Sequence, residues 1–171
     1  MTPKPGNLLL VEDNPDDEEL TIRELARAKL KNPVHVARDG QEAIDYLFGT
    51  EEQAAMPAPV VVLLDLKLPR LDGLEILNRI RADTRTHRMP VVILTSSNDE
   101  TDLVNGYDAG ANSYVRKPIQ SEAFAATIAQ LGLYWLVLNQ PAPPGDEDGD
   151  RTAADMRPAR RRTAPNPPLD H

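Results

Sequence analysis

Three apolar runs in this chain end abruptly on polar chemical groups. Leu8 to Val11 runs into Glu12 and Asp13, Val60 to Leu64 into Asp65, and Val91 to Leu94 into Thr95. A fourth stretch, Ser113 to Arg116, ends in Lys117 and Pro118. Continuous Val, Leu and Ile, rather than alternation with polar residues, marks strands buried on both faces, so the chain needs a parallel sheet with helices as cover. Ligands of open parallel sheets bind in the crevice beyond the carboxyl ends of the strands. Two acids, a lone aspartate, a hydroxyl and a lysine therefore converge from distant parts of the sequence.

The segments between the runs predict the covering helices. Asn14 can cap the first helix, Pro15 suits its first position, and Asp16, Asp17, Glu18 and Glu19 crowd the first turn, where the helix dipole favours anions. Leu20, Ile22, Leu25 and Ala28 are its expected buried side. Pro33 to Ala37 reads as a short strand, and Asp39 with Glu42 at capping-box spacing opens a helix to about Phe48. Gly49 to Pro59 is a long surface loop. Pro69, Asp72 and Gly73 form a turn before a helix carrying Leu74, Ile76, Leu77 and Ile80. Asn98 can cap a helix that runs to Asp108 and stops at Gly110, and Ser121 caps a last helix reaching about Leu138. Five strands alternating with five helices predict an α/β, flavodoxin-like doubly wound parallel sheet with right-handed crossovers.

Length and composition set the limits of function. The 171 residues divide into one domain over 1–139 and a Pro-, Asp- and Arg-rich segment over 140–171 that cannot bury enough apolar surface to offset ordering, and is expected to be disordered. The absence of cysteine excludes a disulfide framework, a thiolate metal site and a cysteine nucleophile. A formal charge of -8 disfavours DNA as a partner of the folded part, and Arg157 to Arg162 reads as solvated tail. No apolar run approaches the roughly 20 residues of a membrane span, and Met1 to Asn7 holds no signal core, so a cytoplasmic protein with no membrane contact is expected. His35, His87 and His171 are scattered and read as non-ligands.

Glu12, Asp13 and Asp65 at one point repel, and ionised together they would raise one another's pKa values. A hard divalent cation removes the conflict, and Mg²⁺ commonly binds through one or two carboxylates, waters and phosphate oxygens. With the metal and Lys117 neutralising phosphoryl oxygens, and the Thr95 hydroxyl donating to one of them, the Asp65 carboxylate can attack phosphorus. The product is an aspartyl phosphate.

The acidic pair Glu12 and Asp13, the segment "LLDLKLPRLDG" holding Asp65, "ILTSS" holding Thr95 and "SYVRKP" holding Lys117 and Pro118 together resemble the receiver domain of two-component response regulators, over about residues 6 to 138. The resemblance implies a CheY-like fold and a histidine kinase partner. It also implies Asp65 as phosphoacceptor, Asp13 as direct metal ligand, Glu12 acting through metal-bound water, and the backbone carbonyl of Lys67 as a further ligand. Thr95 and Tyr114 look like the family's switch pair, and the bond from Lys117 to Pro118 is expected to be cis, which proline permits. Within the family the chain is similar to the single-domain regulators of bacterial and cyanobacterial phytochrome kinases, in its "VEDNPDD" opening, its long loop before Val60 and its Trp135-bearing last helix. Signalling would run through a changed surface, a dimer rearrangement or a phosphorelay, without turnover of an external substrate. An unphosphorylated scaffold and an aspartate-nucleophile phosphohydrolase are the alternatives; Lys67 disfavours the hydrolase, which needs a second aspartate there. A flavin carrier is disfavoured by the acids after Asn14, which repel a phosphate.

Phe124, Ile128, Leu131, Trp135 and Leu138 recur at four- and three-residue spacing along the last helix, and Leu133, Tyr134, Leu136 and Val137 make its end apolar nearly all round. One face can pack on the sheet and the other needs cover. A homodimer through Phe124, Ile128, Leu131, Tyr134, Trp135 and Leu138 is expected, and phytochrome-linked regulators resemble this in using the same side of the domain.

Overall fold

Alternate residues of a strand face opposite sides of a sheet, and here both sides find apolar cover. The computed structural model describes residues 6–118, 120–143 and 145. Its strands are β1 (Leu8–Val11), β2 (Val34–Ala37), β3 (Val61–Leu64), β4 (Val91–Thr95) and β5 (Ser113–Arg116), all parallel in the order β2-β1-β3-β4-β5. The three central strands β1, β3 and β4 are buried along their whole length, whereas the edge strands β2 and β5 are only partly so. The helices are α1 (Pro15–Arg27), α2 (Gly40–Phe48), α3 (Gly73–Ala82), α4 (Glu100–Asp108) and α5 (Ser121–Leu133), the last prolonged by a π-helical turn over Tyr134–Leu138. The expected flavodoxin-like fold is the observed one.

Leu9, Val11, Val62, Leu64 and Ile93 pack with Ile44, Leu47, Ile76, Leu77 and Ile80 on one face. Leu8, Leu10, Val61, Leu63, Val92 and Leu94 pack with Leu25, Phe124, Ile128 and Leu136 on the other. Each such side chain, fully buried, stabilises the fold by about 1.5–3 kcal/mol before entropy is counted.

Side-chain caps fix where the helices begin. Asn14 Oδ1 accepts from the backbone N–H of Asp16 and Asp17, Asp39 accepts from Glu42, and Asp72 from Leu74. Glu42 reciprocates onto the N–H of Arg38 at 2.8 Å, closing the expected capping box one residue early. The cap of α4 is Asp99 rather than Asn98, because Ser97 Oγ accepts the Asp99 N–H and leaves the Asp99 carboxylate facing Thr101. Ser121 is the first residue of α5 and not its cap; Gln120 occupies that place with no side-chain bond. In α1 the buried positions are Thr21, Glu24 and Leu25, while Ile22 is 38% exposed and Ala28 lies at the exposed carboxyl cap. Thr21 tolerates burial because its hydroxyl donates to the Asp17 carbonyl at 2.7 Å.

The last helix departs most from expectation. Phe124 and Ile128 are 4% and 0% exposed and belong to the core of the chain itself, so they cannot form a dimer surface; Leu131 and Trp135 pack partly against the same cluster. The exposed apolar residues are Leu133, Tyr134, Val137 and Leu138. Ser121–Leu138, with mean hydropathy 1.3, resembles a membrane span by length and composition alone, at 18 residues against the roughly 20 a bilayer needs. Phe124, Ile128 and Leu136 instead seat it on the sheet. Of the segment expected to be a disordered tail, residues 140–143 and 145 are described, and Pro141, Ala142 and Pro143 line a pocket with Pro59, Val60, Met89 and Pro90; residue 144 and residues 146–171, His171 and Arg157 to Arg162 among them, lie outside the described residues.

Burial predicts a contrast along α5. Ile128→Ala is expected to lower the unfolding free energy by about 2–5 kcal/mol, and Leu133→Ala, at a half-exposed position, by about 0.5 kcal/mol or less. Urea unfolding of the two variants checks this; equal losses would contradict the packing described.

Candidate functional site

The parallel ladder continues one residue past the strands, and this places the chemical groups. Val11 pairs with Leu64, after which the Glu12 N–H donates to the Ala37 carbonyl and the Asp65 N–H to the Val11 carbonyl. On the other side Thr95 pairs with Arg116, and the Lys117 N–H donates to the Thr95 carbonyl at 2.8 Å. Glu12, Asp65, Thr95 and Lys117 thus leave the same edge of the sheet from backbone positions held by hydrogen bonds.

Oxygens of Glu12, Asp13 and Asp65 lie within 4.8 Å of one another, with Glu12 and Asp65 buried and Asp13 exposed. Lys117 reaches into this group. Its ammonium donates to Glu12 Oε2 at 2.6 Å, Asp17 Oδ2 at 2.9 Å and Asp65 Oδ2 at 3.0 Å, using all three N–H bonds on carboxylates. Glu12 Oε1 also accepts from the Asn14 N–H, and Asp65 Oδ1 from the Lys67 N–H at 3.3 Å.

The charges do not balance. Burial pushes the Glu12 carboxyl up to about 7, against the pull of its bond to Lys117. Burial alone would push the Lys117 ammonium down, yet the bonds to Glu12 and Asp17 and the charges of Asp65 and Glu12 hold it above the ordinary lysine value. One cation shared among several acids is well stabilised, while each acid receives only part of a counter-charge. The donor set of clustered carboxylate oxygens, with one face open through Asp13, fits a hard divalent cation that would make up the deficit.

Thr95 is fully buried, and its Oγ1 accepts from the Ser97 N–H at 3.3 Å. The Ser97 hydroxyl donates to Asp102 in α4, and the Lys67 ammonium stands 3.8 Å from the same carboxylate. Tyr114 is partly buried on β5, and among the described residues its hydroxyl is the enclosed side-chain atom without a hydrogen-bond partner. Burial and then the Asp102 charge raise its pKa; Ser97 is near enough to oppose this, but its proton is directed to Asp102 rather than shared in a bond with the ring hydroxyl. The ring fits because Gly106 has no side chain: a Cβ there would stand 3.1 Å from Tyr114 Cδ2 and 2.8 Å from Ile93 Cδ1.

No cis peptide bond occurs among the described residues, which include Lys117 and Pro118, so the expected cis bond is trans. Prolyl bonds favour trans by only about 0.5–1 kcal/mol, so residue type alone does not select the isomer. Asp17 is the contact that sequence reasoning missed: it read as a helix-dipole complement, and only its place one turn beyond Glu12 hinted that it could meet the same lysine. His35 stacks on Tyr46 with centroids 4.3 Å apart and the His87 ring meets the Thr84 carbonyl, both away from the acids.

Residues 8–129 match the family described as response regulator receiver domain. The chain is 38% identical over 140 residues to the probable methanogenesis regulatory protein FilR2 of Methanothrix harundinacea (strain 6Ac), spanning 82% of this chain and 90% of that protein. It is 33% identical over 132 residues to response regulator Rcp1 of Synechocystis sp. (strain ATCC 27184 / PCC 6803 / Kazusa), spanning 77% and 90%. The solved Mn(2+)-bound form of Rcp1 matches the fold with a TM-score of 0.77 at 31% identity, covering 81% of this chain and 99% of that one. The solved bacteriophytochrome response regulator AtBRR shares 48% identity with a TM-score of 0.62, covering 81% and 100%.

The charge deficit predicts stabilisation by a cation. Mg²⁺ at a hundredfold excess over its dissociation constant is expected to add about 2.7 kcal/mol to the unfolding free energy, and less in an Asp13→Asn variant. Thermal unfolding across a Mg²⁺ titration measures both; an unmoved midpoint in the unaltered protein would contradict the site.

Proposed function

The chain belongs to the response regulator receiver domain family, and from that membership we propose that Asp65 is the residue that takes the phosphoryl group, with Lys117 and Thr95 binding its oxygens. Receiver domains are signalling proteins with a phosphoacceptor role in two-component systems, served by a histidine kinase, and they bind Mg²⁺ in an acidic pocket, here the Glu12, Asp13 and Asp65 cluster. The observation that carries the proposal is the Lys117 ammonium held 3.0 Å from Asp65 and 2.6 Å from Glu12 at the carboxyl edge of the sheet.

Asp13 and Asp65 are the direct metal ligands in this reading, with the Lys67 carbonyl beside them and Glu12 acting through water. The bound Mg²⁺ supplies charge neutralisation on the phosphoryl oxygens. One Asp65 oxygen attacks phosphorus as the bond to the phosphohistidine nitrogen breaks. Lys117 already lies against the attacking carboxylate and offers its N–H bonds to the charge on the transferred group. Thr95, anchored at the end of β4, turns its hydroxyl toward a phosphoryl oxygen, and Tyr114 follows into the space that opens. The unpaired Tyr114 hydroxyl supports this reading, since a buried polar atom without a partner costs about 1–3 kcal/mol and favours a second position.

The kinase we assign is of the phytochrome type, supported by the likeness to AtBRR and Rcp1. Output passes through a surface change, and a homodimer would use Leu133, Tyr134, Val137 and Leu138, which stand exposed at the end of α5, in place of the buried Phe124 and Ile128. DNA and membrane binding have no part in the reading, and neither has turnover of an external substrate.

Incubation with Mg²⁺ and a small acyl phosphate donor, followed by intact mass measurement, tests the acceptor. One phosphoryl group is expected on the unaltered protein and none on Asp65→Asn. An adduct that survives the substitution would overturn the assignment.

A further inference from the structure

The acids that bind Lys117 and the acids that cluster as metal ligands are not the same set. Glu12 and Asp65 belong to both, Asp13 only to the second, and Asp17 only to the first. We propose that Asp17, in the first turn of α1, is a positioning residue that holds the Lys117 ammonium in place once the metal and the phosphoryl group have claimed the oxygens of Glu12 and Asp65. The inference rests on the assignment of Asp65 as acceptor.

A closed circuit of hydrogen bonds supports it. Lys117 donates to Glu12 Oε2, Glu12 Oε1 accepts from the Asn14 N–H at 3.1 Å, Asn14 Oδ1 accepts from the Asp17 N–H at 3.2 Å, and Asp17 Oδ2 accepts from Lys117 at 2.9 Å. The cap that starts α1 therefore also aims Asp17. Its neighbours in the turn are used differently: Asp16 is exposed, and Glu18 pairs with Arg38 at 2.8 Å. Asp17 is the first-turn acid that reaches the Lys117 ammonium, which is itself only 8% exposed.

Charge makes the contact matter most in the loaded site. A cation within the acid cluster repels the ammonium and offsets the attraction of Glu12 and Asp65. The Asp17 carboxylate stands outside the cluster and keeps its attraction. Without it, a flexible four-carbon side chain is free to swing away from the reacting oxygens, and positioning losses of that kind are felt directly in rate.

The test uses the full chain with Asp17→Asn, Asp17→Glu and, as a control for the helix dipole, Asp16→Asn. At saturating Mg²⁺ the maximal rate of phosphate uptake from a small acyl phosphate is expected to fall about tenfold in Asp17→Asn, to recover to within about threefold in Asp17→Glu, and to stay unchanged in Asp16→Asn. The Mg²⁺ concentration for half-saturation stays within about twofold throughout. An independent reading comes from the ¹⁵N signal of the Lys117 ammonium with Mg²⁺ alone, slow to exchange with water in the unaltered protein and in Asp17→Glu, and broadened away in Asp17→Asn. An unchanged ammonium signal in folded Asp17→Asn, or a rate equal to that of Asp16→Asn, would overturn the proposal, as would a shifted Mg²⁺ requirement, which would make Asp17 part of the metal site. If the unaltered protein takes up no phosphate, the acceptor assignment fails, and the ammonium signal still decides the role of Asp17.

Discussion

Four carboxylates and one ammonium group occupy the carboxyl edge of the sheet, and that electrostatic imbalance is the constraint on which the rest depends. Acids this close are tolerable only because strands fix their backbones and a single lysine is shared among Glu12, Asp17 and Asp65. Burial of Glu12 and Asp65 makes the imbalance costly, since water cannot screen it. A cluster that is short of positive charge fits a divalent cation, and in the proposed reading that cation and Lys117 together would neutralise the phosphoryl group. Binding and chemistry follow from one deficit.

The fold exists to hold that deficit open. β1 and β3 are neighbours in register, so Glu12 and Asp65 emerge side by side, and β4 with β5 brings Thr95 and Lys117 to the same edge. The central strands are saturated with Leu, Val and Ile on both faces, which resists any shift that would separate the acids. At the margin the packing loosens. Tyr114 lies on an edge strand against Gly106, with an unpaired hydroxyl, and Ser97, Asp102 and Lys67 link the loop after β4 to α4 and to the residue two beyond Asp65. That margin is where a change at the acid cluster can be felt by a surface.

Much of this was legible in the residues alone. Unbroken apolar runs ending in Glu12, Asp65 and Thr95 gave the strands, their burial and the convergence of the site, because buried parallel strands leave a strong local signal. The contact of Asp17 is not legible in the sequence because one residue can serve two roles: an acid in a first helical turn satisfies the dipole, and only the circuit through Asn14 and Lys117 shows the second. Periodicity marks Phe124 and Ile128 as a buried face without naming what buries it, and here the chain's own core does so rather than a second copy. Ile22 and Thr21 exchanged expected places for a similar reason, since a hydroxyl bonded to the Asp17 carbonyl can be buried as readily as an alkyl group. The isomer of the Lys117–Pro118 bond, trans in the structure, depends on tertiary context that no residue type encodes.

In the proposed reading, charge at this edge directs one phosphoryl group to one carboxylate among several. Reduction of the acyl phosphate with borohydride, followed by peptide mapping, reads the position directly, because only the phosphorylated carboxyl is converted to the alcohol. Conversion is expected at Asp65 alone, and only when Mg²⁺ was present during phosphorylation. Conversion at Glu12, Asp13 or Asp17, or equal conversion without the metal, would contradict it.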